Sequence, residues 1–270
     1  MDILDKIVEQ KKLAVASAVQ QIPESIMRAD AFSLAGRETR PFFESLSTPG
    51  ELGVNIISEI KRASPSKGPI RLDLDPIAYA KSYEKGGAAA LSVLTDEPFF
   101  KGNLADLKAA RAAVSLPVLR KEFIVSTYQL YETVLAGADA VLLIVRILDR
   151  FQLRDYIQLC HELHLDPLVE IYSAPELEDA SWAGARLIGI NNRNLRSFET
   201  STNNAINLGG MLDDNMVAVA ASGIQSREDI LQARESGIFN FLIGESLVRS
   251  EHPDRFLKTL LGQDTNAQNG

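Results

Sequence analysis

Gly86-Gly87-Ala88-Ala89-Ala90-Leu91-Ser92-Val93-Leu94 places glycine directly before a continuous apolar run, and the same order returns three times along the chain. The recurrences are Ala136-Gly137-Ala138-Asp139-Ala140-Val141-Leu142-Leu143-Ile144, Ala183-Gly184-Ala185-Arg186-Leu187-Ile188-Gly189-Ile190 and Ser236-Gly237-Ile238-Phe239-Asn240-Phe241-Leu242-Ile243-Gly244. Each reads as a helix end entering a strand. Glycine just past a helix takes the left-handed cap without a Cβ penalty, and an unbroken apolar run marks a strand buried on both faces, as in a parallel sheet. Between the runs, helical spacing fills Pro76 to Lys85, Leu104 to Ala113, Thr127 to Leu135, Asp149 to His164, Ala174 to Ser181, Ser226 to Ser236 and Pro253 to Leu261. Asp75 before Pro76, Ser126, and Ser226 with Asp229 three positions on supply good helix starts.

Strand candidates are Val54 to Ile60, Ala89 to Thr95, Pro117 to Phe123, Ala140 to Val145, Pro167 to Tyr172, Leu187 to Asn191, Met216 to Ala221 and Phe239 to Gly244. A length of 270 residues suits two small domains or one barrel of roughly 250 residues. Strands alternating with helices, and no composition break or linker to divide them, favour one closed (β/α)8 barrel over residues 49–270. Residues 1–48 fall outside the repeat. They carry helical spacing from Asp2 to Gln20 and from Ala31 to Leu46, and are expected to form an N-terminal helical extension that caps the barrel or borders its mouth. The least regular stretch runs from Asn191 to Leu208.

Hydrophobic residues make up 46% of the chain and charged residues 24%, the balance of a soluble globular protein. Lys and Arg number 28 against 36 Asp and Glu, a net charge of -8. That surface repels polyanions and argues against nucleic-acid binding, which needs a basic stripe. Any anionic ligand must instead find a local positive pocket. The single cysteine, Cys160, excludes an internal disulfide framework, and reads as a packed thiol in a reducing compartment. Charges interrupt the apolar residues of Met1-Asp2-Ile3-Leu4-Asp5-Lys6, unlike a signal peptide. Val141 to Val145 is far short of the ~20 apolar residues of a membrane helix. A cytoplasmic protein away from the membrane is expected.

In such a barrel the chemistry sits where strands end. Several apolar runs finish in polar residues: Ser58-Glu59-Ile60-Lys61, Arg120-Lys121-Glu122, Val169-Glu170, Asn191-Asn192-Arg193 and Ser222-Gly223. Any one of these could merely mark solvent, but lysines and carboxylates converging on one mouth imply a site. Glu59 and Lys61 share a strand face by two-residue alternation and are expected to pair. Gly223 and Gly244 follow the seventh and eighth strands, where barrels often build a phosphate site, and Arg193 could add a bidentate charge. Phe99-Phe100 reads as core or as an apolar wall for an aromatic ligand. His161 and His164 in Cys160-His161-Glu162-Leu163-His164 are three apart, the wrong spacing for the metalloprotease pair, and lie at the end away from the chemistry. No strand ends in histidine, so acid-base work would rest on lysine and glutamate.

The run Ile56-Ile57-Ser58-Glu59-Ile60-Lys61-Arg62-Ala63-Ser64-Pro65-Ser66-Lys67-Gly68 resembles the signature of the indole-3-glycerol phosphate synthases. The similarity continues through Leu94-Thr95-Asp96, Leu119-Arg120-Lys121-Glu122-Phe123, Leu168-Val169-Glu170, Ile190-Asn191-Asn192-Arg193-Asn194-Leu195, Ser222-Gly223-Ile224 and Ile243-Gly244-Glu245. The resemblance implies a (β/α)8 barrel and a carboxy-lyase of the tryptophan pathway. It would close the pyrrole ring of 1-(2-carboxyphenylamino)-1-deoxyribulose 5-phosphate without metal or organic cofactor. It also implies roles: Lys121 as general acid, Glu170 as general base, Lys61 holding the substrate carboxylate in a network with Glu59, and Asn191 near the reacting hydroxyl and amine. Ser64, Arg193, Ser222, Gly223, Gly244 and Glu245 fall at binding positions, most around the phosphate, and Phe100 and Phe123 beside the anthranilate ring.

The chain departs from the family pattern in two places. Ala221 stands where glutamate is usual before Ser222-Gly223, which takes a carboxylate from the mouth, and Ser201 stands where aspartate is common after Phe198-Glu199. The first departure opens a second reading, a barrel that binds phosphorylated ligand with slow turnover. Another phosphosugar barrel enzyme is a third reading, whose chemistry would not need Glu59, Lys61, Lys121 and Glu170 together. A monomer is the default for a barrel with its own N-terminal cap.

Overall fold

The computed structural model describes residues 2–34, 36–193 and 203–263. Its strands are β1 (Asn55–Ile60), the short β2 (Ala63–Ser64) and β3 (Gly68–Pro69), β4 (Ala90–Leu94), β5 (Val118–Lys121), β6 (Ala140–Ile144), β7 (Asp166–Ile171), β8 (Leu187–Asn191), β9 (Val217–Ala221) and β10 (Asn240–Ile243). β1 and β4 to β10 close a barrel in the order β1-β10-β9-β8-β7-β6-β5-β4, while β2 and β3 pair antiparallel beside it. Every barrel pairing is parallel. This is the expected (β/α)8 barrel, with strand limits within a residue or two of those read from the apolar runs.

The quoted glycines do what the runs require. Gly87, Gly137, Gly184 and Gly237 all hold φ between +83° and +91°, each ending a helix just before a barrel strand. The helix starts also follow the sequence: Asp75 caps α4 (Pro76–Gly86), Ser126 caps α7 (Thr127–Leu135), and Ser226 and Asp229 form a capping box on α11 (Arg227–Arg234). Strand side chains then divide by alternation. Ile57, Leu119, Leu142, Leu168, Leu187, Val219 and Leu242 pack inside the barrel, and Ile56, Val93, Val141, Val169, Ala220 and Phe241 pack outward beneath the helices.

The N-terminal extension reaches both ends of the barrel. α1 (Ile3–Gln21) opens on a capping box at Asp2 and carries Ile3, Leu4 and Ile7 to the mouth. Far along the extension, Phe42 and Leu46, both fully buried, join the inner core from below. There Asn240 Nδ2 donates to the Leu46 carbonyl at 3.1 Å, and Asn55 Nδ2 to that of Thr48 at 2.8 Å and to Asn240 Oδ1 at 2.9 Å.

The second helix expected in the extension, Ala31 to Leu46, is not a single helix. α2 runs earlier, Glu24–Ser33 behind Pro23, and only Glu44–Ser47, α3, is helical in the later part. Pro41 has no N–H to give a helix. The neighbouring amides have tertiary partners instead: the Arg40 N–H donates to Asp139 Oδ1 and the Phe43 N–H to Asp166 Oδ2, both at 2.9 Å. Contacts with the barrel floor outweigh the local helical spacing. In the irregular stretch after β8, α10 (Asn203–Gly209) is helical, and Asn194, Leu195, Phe198, Glu199 and Ser201 lie outside the described residues. His161 lies in the last turn of α8 (Arg150–Glu162), and His164 follows the helix in a left-handed turn at φ +53°. Cys160 is buried, and desolvation pushes its thiol well up, which suits a packed rather than reactive group. Among the described residues no helix is long and apolar enough to cross a membrane.

Phe42 fills the barrel floor at the end away from the mouth. Phe42→Ala should therefore lower unfolding free energy by about 3–5 kcal/mol, read as a lowered urea midpoint. An unchanged midpoint would show that the floor is not packed as described.

Candidate active site

At the carboxyl ends of the strands lies a cavity of about 910 Å³. Every residue to which the resemblance gave a role borders it: Glu59, Lys61, Ser64, Phe100, Lys121, Phe123, Glu170, Asn191, Arg193, Ser222, Gly223, Gly244 and Glu245. Residues more than 180 positions apart meet here because each follows a strand of one closed sheet.

Two ion pairs border the cavity. Lys61 Nζ sits 2.6 Å from Glu59 Oε1, the pair expected from their alternation. Lys121 Nζ, at the end of β5, donates to Glu170 Oε2 on β7 at 3.1 Å. The second Glu170 oxygen accepts from Asn191 Nδ2 at 3.2 Å, and Asn191 Oδ1 accepts the Arg193 N–H at 2.9 Å. Glu170 is thus oriented from two sides. Burial opposes charge on Glu59, but Lys61, Lys121 and Arg193 outweigh it and hold the carboxyl below its usual range. Burial likewise opposes charge on Lys121, and the Glu170 and Glu59 carboxylates prevail and hold the ammonium above the usual lysine value of 10.5.

The mouth is cationic although the chain is acidic. Lys61, Lys67, Lys121 and Arg193 border the cavity, while two of its four acidic residues, Glu122 and Glu245, are engaged by Lys11 at 2.9 Å and Arg249 at 3.0 Å. Glu59 and Glu170 remain to balance four cations. Opposite them Phe100 and Phe123 stand 5.9 Å apart between ring centroids and make an apolar wall. Phe100 is thus on the wall, the second of the two readings of Phe99-Phe100. Ser64 Oγ is buried without a hydrogen-bond partner among the described residues.

Backbone geometry shapes the remaining rim. Ser222 and Gly223 are both left-handed, at φ +69° and +82°, and fold the end of β9 into a tight turn. Asn192 Nδ2 holds that turn through the Ser222 carbonyl at 3.0 Å. Gly244 leads into α12 (Glu245–Arg249), whose first turn has no side-chain cap. A Cβ on Gly244 would lie 2.4 Å from Glu59 Oε1, so only glycine leaves Glu59 its place. The β2–β3 pair also borders the mouth, and Arg193 donates to Ser66 Oγ in the turn between them. Ala221 faces inward in the core layer and borders the cavity, with Asn191 and Leu242 its register partners.

The extension was expected to cap the barrel or border its mouth, but sequence reasoning named none of the α1 residues that do so. Ile3, Leu4 and Ile7 border the cavity, and the amphipathic spacing of the first helix was the signal available for them. Ser66 and Lys67 were quoted for their resemblance and given no part.

The indole-3-glycerol phosphate synthase family model matches residues 4–260. Among curated relatives, the indole-3-glycerol phosphate synthase of Desulfosudis oleivorans is 56% identical over 261 residues, covering 96% of this chain and 98% of the relative. That of Syntrophobacter fumaroxidans is 48% identical, covering 97% and 98%. Two solved structures share the fold at 13% identity. Thiamine phosphate pyrophosphorylase from Pyrococcus furiosus has a TM-score of 0.58, covering 78% of this chain and 95% of its own. N-acetylmannosamine-6-phosphate 2-epimerase from Clostridium perfringens has a TM-score of 0.57, covering 72% and 87%. With the family model spanning nearly the whole barrel and relatives this similar along their full length, the chain belongs to the indole-3-glycerol phosphate synthase family.

Proposed function

We propose that this chain converts 1-(2-carboxyphenylamino)-1-deoxyribulose 5-phosphate to indole-3-glycerol phosphate, with loss of carbon dioxide and water. The observation that carries the reading is the pair of lysine-glutamate contacts, Lys121 with Glu170 and Lys61 with Glu59, on one cavity with an aromatic wall. A cationic mouth on an acidic protein suits a substrate bearing both a phosphate and a carboxylate. In this reading residues 1–48 and the barrel of 49–270 act as one structural unit, a cytoplasmic monomer working on a small phosphorylated substrate without nucleic acid or cofactor.

The roles follow from the chemistry. Attack of the aromatic carbon on the ketone develops an oxyanion, and the Lys121 ammonium, kept cationic by its carboxylate neighbours, protonates it. Loss of carbon dioxide then restores aromaticity. The final dehydration needs an acid for the departing hydroxyl, Lys61 or Lys121, and a base for the nitrogen proton, Glu170 held by Asn191. Lys61 meets the substrate carboxylate. Arg193, Ser64, Glu245 and the backbone at Ser222, Gly223 and Gly244 surround the phosphate end, while Phe100 and Phe123 stack beside the anthranilate ring. The slow-turnover reading raised by Ala221 has no support among the relatives.

Lys121→Ala should cut kcat by about 10²–10⁴-fold, the usual contribution of a positioned acid, while titration calorimetry finds nearly native affinity for indole-3-glycerol phosphate. Full activity in that variant would refute the acid role. The native chain should turn over the substrate within about tenfold of Ala221→Glu, whereas product from the Glu variant alone would restore the slow-turnover reading.

The pH profile supplies a third test. Because Lys121 is raised above 10.5 and must be charged to act, kcat/KM should hold through neutral pH and fall only above the usual lysine range. Glu59→Gln removes one of the carboxylates that raise it, so the alkaline limb should move to lower pH. A limb that stays in place would mean another group controls it.

A further inference from the structure

The inner face of α1 carries Leu4, Ile7, Lys11, Val15 and Ala18 at three- and four-residue spacing, an apolar stripe with one lysine in its middle. Leu4 and Ile7 are buried against the mouth, and Val15 and Ala18 pack on the core further along. Lys11 fills its place in the stripe by an ionic contact. Its side chain is 11% exposed, and its ammonium lies 3.0 Å from Asp96 Oδ2 and 2.9 Å from Glu122 Oε1, carboxylates that are 1% and 3% exposed.

Those two carboxylates belong to the loops that build the cavity. Asp96 Oδ1 accepts the Phe99 N–H at 2.9 Å and starts the short helix α5 (Glu97–Phe100) that bears Phe100. Asp96 Oδ2 has no hydrogen bond among the described residues, which leaves the Lys11 ammonium as its partner. Glu122 stands between Lys121 and Phe123 in the chain; it accepts from Thr95 Oγ1 and from the Phe123 N–H, both at 2.8 Å, and faces Arg120 at 3.7 Å. Burial disfavours charge on Lys11, yet Glu122 and Asp96 outweigh it and hold the ammonium above the usual lysine range.

We propose that Lys11 is a positioning residue for the reaction: seated between Asp96 and Glu122, it fixes α1 in register over the mouth and keeps Leu4 and Ile7 as a wall of the substrate cavity. The proposal rests on the synthase reading above. An apolar stripe alone lets a helix slide or tilt along the surface it covers, because the hydrophobic effect has no direction. A cation between two buried carboxylates has one position. The same contact ties α1 to the segment bearing Lys121 and Phe123, so the extension and the acid-bearing strand are held by one group.

Lys11→Met keeps the length and packing of the stripe and removes the charge. It should raise KM for the carboxyphenylamino substrate about tenfold or more while kcat falls less, the pattern of lost uniform binding. Thermolysin should also cleave within α1 markedly faster than in the native chain, because the helix opens from the mouth more often. Lys11→Arg, which keeps the charge, should restore both readouts. If Lys11→Met does not fold, Asp96→Asn should move KM and cleavage in the same direction by a smaller factor. Native KM together with native cleavage in Lys11→Met would overturn the proposal, as would losses that Lys11→Arg fails to restore. Because cleavage is read without turnover, a native chain that makes no indole-3-glycerol phosphate would overturn the synthase reading and leave the seating of α1 decided by proteolysis.

Discussion

Closure of eight parallel strands is the constraint on which everything else here depends. A closed sheet has no edge and exposes neither face to water, so its inner side must be filled and its outer side covered. Strand side chains such as Ile57, Leu142 and Val219 fill the inside, and Phe42 and Leu46 of the extension close it from below. The helices cover the outside. Because all strands run the same way, their carboxyl ends meet at one rim, and that rim alone is left open for polar side chains.

The rim concentrates charge that the surface does not share. A chain of net charge -8 places Lys61, Lys67, Lys121 and Arg193 around one cavity. Desolvation works against the charges of Glu59 and Lys121 there, and opposite charges at 2.6 Å and 3.1 Å help to overcome it. The outcome is a lysine kept cationic beside a glutamate aimed by Asn191. Gly244 belongs to the same balance, because any side chain there would strike Glu59 and displace the partner of Lys61.

Much of this is legible in the amino-acid sequence. The glycine-led apolar runs located the strands, and the left-handed φ values of Gly87, Gly137, Gly184 and Gly237 give the reason. Glu59 and Lys61 were paired by alternation alone. The failure at Ala31 to Leu46 is equally instructive. Its helical spacing is real, but Asp139 and Asp166, about 100 and 120 residues further on, take the Arg40 and Phe43 amides that such a helix would need. No local pattern reveals a hydrogen-bond partner at that distance.

The sequence by itself determined the period of the fold, the strand ends that bear polar groups and the residue types available for acid-base work, because these depend on spacing along one segment at a time. Tertiary structure decided which of those groups meet. Lys121 reaches Glu170 across the mouth, and Lys11 of the first helix sits between Asp96 and Glu122. In the sequence Lys11 is one of several lysines on an amphipathic helix; only the folded chain brings two buried carboxylates within 3.0 Å of it. The reason is physical: periodicity says which face of an element is buried, whereas the partner on that face is set by how the closed barrel brings distant segments together.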